Sequence, residues 1–151
     1  MMAVAPPNPD FEAAVRESFS RQAVMATIGA SLERVAPGEV EIALPFRADL
    51  TQQDGYLHAA IVAAILDSAC GYSAMSLVPA GAGVLTVEFK ANFVAPARGE
   101  RFVARARTKR AGRTLTVAEA DAFAAQGASE VLVATMLATI MTVEGSGRRR
   151  S

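Results

Sequence analysis

The stretch from Thr51 to Leu77, TQQDGYLHAAIVAAILDSACGYSAMSL, contains the longest apolar run of the chain and its only histidine, His58. A helix that is apolar on every side is buried in a protein core. We therefore predict a long central helix over residues 57–77, with the rest of the chain packed around it. Asp67 ends the apolar run, and burying a carboxylate without partners costs several kcal/mol. This acid needs a structural or a chemical reason to be there.

Composition narrows the class of protein. The chain has 151 residues, of which 52% are hydrophobic, so we expect one folded domain over 1–151. Basic and acidic residues number 15 each, which leaves no net charge to attract nucleic acid. One cysteine excludes an intrachain disulfide and, with one histidine, the usual zinc ligand sets. The sequence predicts flexible segments at 1–9, which is proline-rich, and at 145–151, GSGRRRS.

The location of the protein is predicted from what the sequence lacks. No apolar run reaches the roughly 20 residues of a membrane span, and no basic region precedes an apolar one at the N-terminus. We therefore expect a cytoplasmic protein without a signal peptide.

Apolar and polar residues alternate over several segments, as they do in half-buried strands. The longest clear case has Leu85, Val87, Phe89, Ala91 and Phe93 on one face. Strands joined by short turns form an antiparallel sheet, and such a sheet can wrap one apolar helix, so the fold class is α+β. A short helix is predicted after Asp10, and strands are predicted at about 25–35, 39–46, 85–93, 101–110, 114–123 and 130–143.

The start of the central helix has backbone N–H groups without intrahelical acceptors, and these can polarise a carbonyl oxygen. Asp67 lies nine residues after His58, about two and a half turns, so it cannot reach the same helix start. It can serve the helix start of a second copy if two helices pack antiparallel, which requires a dimer. A carboxylate there can act as general base or nucleophile. Purely structural roles remain open for His58, as a hydrogen-bonding residue, and for Asp67, as a cap of another segment.

Two motifs together resemble a known family. His58 and Asp67 keep the spacing of a His-Gly-Gly motif and an acid nine positions later, and Thr86 to Ala97, TVEFKANFVAPA, is similar to the strand that follows. In these features residues 29–143 resemble the hotdog-fold acyl-CoA thioesterases, in particular the phenylacetate-degradation type within the 4-hydroxybenzoyl-CoA thioesterase superfamily. The resemblance implies a hotdog fold, an antiparallel β-sheet wrapped around a long central helix, and a thioesterase activity.

The resemblance also implies roles for five residues. Asp67 matches the catalytic carboxylate, and Gln52 matches the amide residue that positions water or the thioester. Ala59 matches the first glycine of the motif, whose backbone N–H polarises the carbonyl. Thr86 matches a hydroxyl residue that assists the carboxylate, and His58 matches the supporting histidine. The motif departs from the family because His-Ala-Ala replaces His-Gly-Gly: alanine keeps the N–H but adopts positive φ only at a cost.

The remaining expectations concern the ligand and the assembly. Lys109, Arg110 and Arg113 are candidates for binding the CoA phosphates, although a solvated basic turn is an equal alternative. The substrate implied is an acyl-CoA, and the protein is expected to be a homodimer or homotetramer, with no metal, redox cofactor, nucleic acid or membrane involved. A non-catalytic acyl-CoA-binding hotdog protein is the main alternative to an enzyme.

Overall fold

The computed structural model describes residues 5–145, in which two short helices precede a six-stranded antiparallel sheet and one long helix. The predicted flexibility of 1–4 and 146–151 concerns residues outside this range. The elements in chain order are α1 (Phe11–Ser20), α2 (Ala23–Ile28), β1 (Ser31–Ala36), β2 (Glu39–Pro45), α3 (Ala59–Met75), β3 (Gly83–Phe93), β4 (Arg101–Ala111), β5 (Leu115–Gln126) and β6 (Ser129–Val143).

Helix α3 is the predicted central helix, two residues shorter at each end than predicted. It begins after His58 because the His58 Nδ1 accepts a hydrogen bond of 2.9 Å from the Ala60 backbone N–H and so caps the helix. Strands β2 to β6 all contact α3, so the sheet wraps the helix as predicted. No helix within residues 5–145 is long and apolar enough to cross a membrane.

The strand order is β1-β2-β4-β5-β6-β3, with every neighbouring pair antiparallel. Strands β4, β5 and β6 follow one another through short turns, whereas β3 reaches the far side of β6 after the chain has passed through α3. The two edge strands differ in origin: β1 is placed beside β2 by a local hairpin, whereas β3 is placed beside β6 by a long-range pairing.

The strand predicted over about 25–35 is wrong in its first half. Ala23–Ile28 forms α2, and the strand β1 begins only at Ser31. Gly29 separates the two elements at φ +80°, a left-handed conformation that ends a helix and favours glycine. Met25 and Ile28, three positions apart, are both buried, and this helical spacing was obscured by the β-branched residues around it.

The prediction that β3 keeps one apolar face buried is also wrong. The pairing with β6 shifts between Thr86 and Glu88, so a bulge at Val87 reverses the alternation. Leu85 pairs with Met141 on the outer face, but Phe89 pairs with the buried Ala138 on the face towards α3. Side chains of this edge strand remain exposed because no strand or helix within residues 5–145 covers them. The exposed fractions are 60% for Leu85, 56% for Val87, 47% for Phe89 and 48% for Phe93.

Candidate active site

The start of α3 offers an unused hydrogen-bond donor. The N–H groups of Leu57, His58, Ala60 and Ile61 all have acceptors. The N–H of Ala59 has none among the described residues, and Ala59 is exposed. No non-glycine residue in this part of the chain has positive φ, so alanine at positions 59 and 60 is unstrained. The donor that the family motif requires is present without its glycines.

Gln52 organises the loop that leads into α3. Its Oε1 accepts hydrogen bonds from the backbone N–H groups of Asp54 at 2.6 Å and Tyr56 at 3.1 Å. Its Nε2 is 3.4 Å from Asp54 Oδ2, a long contact. Gln52 lines a recess of about 430 Å³ together with Ala59 and Phe93. Phe93 was predicted only as part of an apolar strand face and not as a site residue, because its place beside the helix start depends on the β3 register.

Asp67 is only partly buried, which corrects the expectation of an acid enclosed by apolar residues. The side of α3 that carries it faces a cavity of about 710 Å³ between α1 and the first half of β3. The Thr86 Oγ1 donates a hydrogen bond of 2.7 Å to the Asp67 Oδ1. The Oδ2 has no protein donor among residues 5–145. The pair thus holds a carboxylate in a fixed position with one oxygen free towards the cavity.

One copy of the chain does not bring all five predicted site residues together. Asp67 and Thr86 line one cavity, whereas Gln52 and Ala59 line another, and His58 caps the helix at the second. Ala59 and Asp67 are eight residues apart on α3, about 12 Å along the helix axis. A single ligand atom cannot contact both within one chain, so the predicted site residues are divided between two separate cavities.

The three basic candidates differ in their surroundings. The Lys109 Nζ donates a hydrogen bond of 2.8 Å to the Glu119 Oε2. This contact, together with the ion pair between Arg107 and Glu119, holds the pKa of the Glu119 carboxyl below its usual range. Lys109 and Arg113 line a cavity of about 1230 Å³ at the C-terminal end of α3. Arg110 is exposed and does not line this cavity.

Two other kinds of chemistry find little support in the described residues. Burial raises the pKa of the Cys70 thiol to about 12, so it is not a thiolate nucleophile near neutral pH. No group of three or more His, Cys, Asp or Glu side chains within residues 5–145 is arranged to hold a metal ion.

The chain is similar to known proteins both in sequence and in fold. A family model described as the thioesterase superfamily matches residues 54–131. A thioesterase family protein from Silicibacter pomeroyi has a TM-score of 0.88 and 54% sequence identity, over 89% of this chain and 99% of that one. The PaaI protein from the phenylacetic acid degradation operon of E. coli has a TM-score of 0.82 over 92% of this chain and 97% of that one. At 14% identity, that likeness shows the fold alone.

A thioesterase enzyme from Staphylococcus aureus has a TM-score of 0.75 and 23% identity, over 81% of this chain and 99% of that one. Its structure was solved with a glutamine replaced by alanine and again with a glutamate replaced, and the two positions are fifteen residues apart in that protein. The family match covers more than half of this chain and includes α3 and its acid. The chain therefore belongs to the thioesterase superfamily, has the hotdog fold, and is in general terms a thioester hydrolase.

Proposed function

We propose that the protein hydrolyses an acyl-CoA thioester to the free acid and CoA at a site shared by two copies of the chain. The observation that carries this proposal is the carboxylate of Asp67, fixed by Thr86 with one oxygen open to a cavity. The spacing adds support, since Gln52 and Asp67 are also fifteen positions apart, like the two residues replaced in the Staphylococcus aureus enzyme.

Each of the five predicted site residues has one role in the proposed hydrolysis. The free N–H of Ala59 donates to the thioester oxygen, where negative charge develops in the transition state, and loss of one such donor typically costs about 3 kcal/mol. Asp67 of the other copy takes a proton from water as the water oxygen attacks the carbonyl carbon. The C–S bond then breaks, and the thiolate of CoA takes up a proton. Thr86 keeps Asp67 oriented, the Gln52 amide positions water or the thioester, and His58 holds the helix start.

The edge strand β3 is the surface through which two copies would join. It carries unpaired backbone groups and exposed apolar side chains, which is a template for pairing with another strand. The opposite edge, β1, is shorter, bulged after Leu32 and rich in charge. An antiparallel β3 pair centred near Phe89 and Lys90 brings Thr86 of one copy close to Phe93 of the other. Thr86 lines the cavity of Asp67, and Phe93 lines the cavity of Ala59. This register therefore joins the two cavities, which we propose are the two half-sites of one active site.

A second surface suits assembly of dimers into a tetramer. The outer face of the sheet is divided: ion pairs such as Arg105–Glu130 cover β4 and β5, whereas Leu85, Met141 and Leu115 form an exposed apolar row across β3, β6 and β5. Exposed apolar patches of this kind mark interaction sites. We propose that the protein is a single-domain, cytoplasmic homodimer or homotetramer. The phosphates of its substrate would bind Lys109, Arg110 and Arg113.

The direct test replaces Asp67 with Asn, which keeps the size of the side chain and removes the base. We expect kcat for thiol release from acyl-CoAs to fall at least about 100-fold, the lower end of general-base contributions. The thermal unfolding midpoint should not change, and Asp121→Asn on the outer face is the matched control. Full activity of Asp67→Asn would contradict the assignment. Binding of acyl-CoA by the wild-type chain without any thiol release would instead favour the non-catalytic alternative.

A further inference from the structure

The charged side chains of the edge strand β1 have their partners within the chain. Glu33 and Arg34 are the charged residues of this strand. Glu33 forms an ion pair of 3.4 Å with Arg101, and Arg34 forms one of 2.7 Å with Glu39. This edge of the sheet therefore offers no unpaired charge to a neighbouring strand.

The charged side chains of the other edge strand, β3, lack such partners. Its charged residues are Glu88 and Lys90, both exposed, and neither forms an ion pair with a residue of the range 5–145. Glu88 lies opposite Thr139 of β6, whose Oγ1 is 3.4 Å from the Glu88 Oε1, a long contact. Lys90 lies opposite the apolar Leu137. The β3 edge thus presents one unpaired negative and one unpaired positive charge.

Both charges lie on the outer face of the sheet. Residues two positions apart on a strand share a face, and Phe89 between them pairs with the buried Ala138 on the face towards α3. Neither Glu88 nor Lys90 is among the residues that line the two cavities of the proposed site. A change of charge at these positions therefore alters the edge without touching either cavity.

Symmetry limits the registers in which two β3 strands can pair. The two-fold axis of an antiparallel pair is perpendicular to the sheet, so residues directly opposite each other share a face and the axis passes beside one residue, which faces its own copy. Three registers have their axis in the middle of β3, at Glu88, at Phe89 or at Lys90. An axis at Glu88 or at Lys90 places like charges directly opposite each other, which is destabilising.

The register centred on Phe89 is the one of the three that pairs both charges. In it, Glu88 of each copy lies opposite Lys90 of the other, so that two equivalent ion pairs form on the outer face. The two Phe89 rings lie opposite each other on the inner face, and aromatic pairs are among the favourable cross-strand pairs. Complementarity of charge and of apolar surface therefore selects the same register.

We propose that Glu88 and Lys90 fix the register of the β3 pair and select a second copy of this chain as its partner. The inference rests on the proposed function for the choice of β3 as the joining edge. Moving the axis by one residue shifts Thr86 by two positions, about 7 Å, relative to Phe93 of the other copy and so separates the half-sites. Glu88 and Lys90 are thus positioning residues that act through the alignment of the two chains.

Charge reversal in two differently tagged copies tests the pairing. In Glu88→Lys both edge charges are positive and in Lys90→Glu both are negative, so each homodimer has two repulsive pairs. A mixed dimer of the two variants has two attractive pairs instead. On co-expression we expect the mixed dimer to make up about nine in ten dimers, against about half for random pairing. Native mass spectrometry measures the fractions.

The double variant Glu88→Lys with Lys90→Glu is the matched control and decides the register. It keeps both charges and exchanges their positions, so it pairs with itself as the wild type does and should keep the wild-type thermal unfolding midpoint. Its mixed dimer with the wild type places acid opposite acid and base opposite base. When the two are co-expressed, we expect them to sort into homodimers, with mixed dimers about one in ten.

A register centred on Glu88 or on Lys90 gives the reverse result in this control. The mixed dimer of the double variant and the wild type is then enriched, because unlike charges meet on the axis, and that outcome would overturn the proposal. Random pairing in both experiments would overturn it as well, since the charges would then lie outside the interface. A wild-type chain that remains a monomer would do the same.

The sorting of tagged chains needs no turnover, which keeps this proposal apart from the proposed hydrolysis. If the chains sort as expected and the wild type hydrolyses no thioester, the hydrolysis fails and the register stands. If the wild type hydrolyses acyl-CoA and the chains pair at random, the enzyme assignment stands and the register is wrong.

Discussion

Cys70 shows at the scale of one residue how burial couples pH to stability. The side chain is fully buried three residues after Asp67, and burial, with smaller contributions from Asp67 and Glu119, raises the pKa of its thiol from 9.0 to about 12. In the unfolded chain this thiol loses its proton above about pH 9, but in the folded protein it keeps the proton. The unfolded state therefore binds fewer protons between pH 9 and 12, and stability falls as the pH rises.

We expect this effect to cost about 1.4 kcal/mol for each pH unit above about 9. Between pH 8 and 10.5 the free energy of unfolding of the wild type should fall by about 2 kcal/mol more than that of Cys70→Ala. Urea unfolding of both proteins at the two pH values measures the difference. Parallel losses in the two proteins would show that Cys70 is not the group responsible.

At the scale of an element, α3 depends on His58 for its beginning. The imidazole Nδ1 occupies the place that a Ser, Thr, Asp or Asn oxygen usually takes at a helix N-cap. This contact accounts for the presence of the only histidine of the chain through a structural role, without a role in the reaction. It also fixes the first turn of α3, and with it the direction of the free Ala59 N–H.

His58→Ala should lower the free energy of unfolding by about 1 kcal/mol, the usual cost of a lost cap, whereas His58→Asn should keep the stability. If capping is the whole role, His58→Asn also keeps thioesterase activity within a few-fold. Thermal unfolding and steady-state kinetics on the two variants give the answer. An Asn variant that is stable but inactive would assign a chemical role to the imidazole.

At the scale of the whole molecule, the site is predicted to need two chains. A heterodimer of an Asp67→Asn copy and a Gln52→Ala copy contains one intact site, made of the unaltered Asp67 of one copy and the unaltered Gln52 of the other. We expect it to recover about half of the activity of a wild-type dimer, because one of two equivalent sites is complete. Co-expression with two different tags allows the heterodimer to be purified and assayed.

The matched control pairs an Asp67→Asn copy with a Thr86→Val copy. Asp67 and Thr86 belong to the same half-site, so this heterodimer has a defect in both of its sites and should recover no activity. Recovery in neither heterodimer would mean that each site lies within one chain. Equal recovery in both would mean that Thr86 is dispensable.

The sequence by itself determined the elements that local patterns specify. An unbroken apolar run fixes a buried helix, and alternation fixes β2, β4, β5 and β6 to within a few residues. The spacing of His58 and Asp67, together with the motif from Thr86 to Ala97, pointed to the family. Two local predictions failed. The short helix α2 was taken for a strand, since a helix of six residues shows too little of its period, and the bulge at Val87 leaves no mark in the alternation of β3.

The tertiary structure alone decided the features that depend on distant parts of the chain. Pairing of β3 with β6 brings Thr86 to Asp67 across nineteen positions of sequence, and α1 closes one side of the cavity that Asp67 lines. The packing of these elements also leaves Asp67 partly exposed and the apolar side chains of β3 uncovered. The physical reason is that helical and strand periods record which residues share a face, whereas what that face meets is set by the packing of elements far apart in the chain.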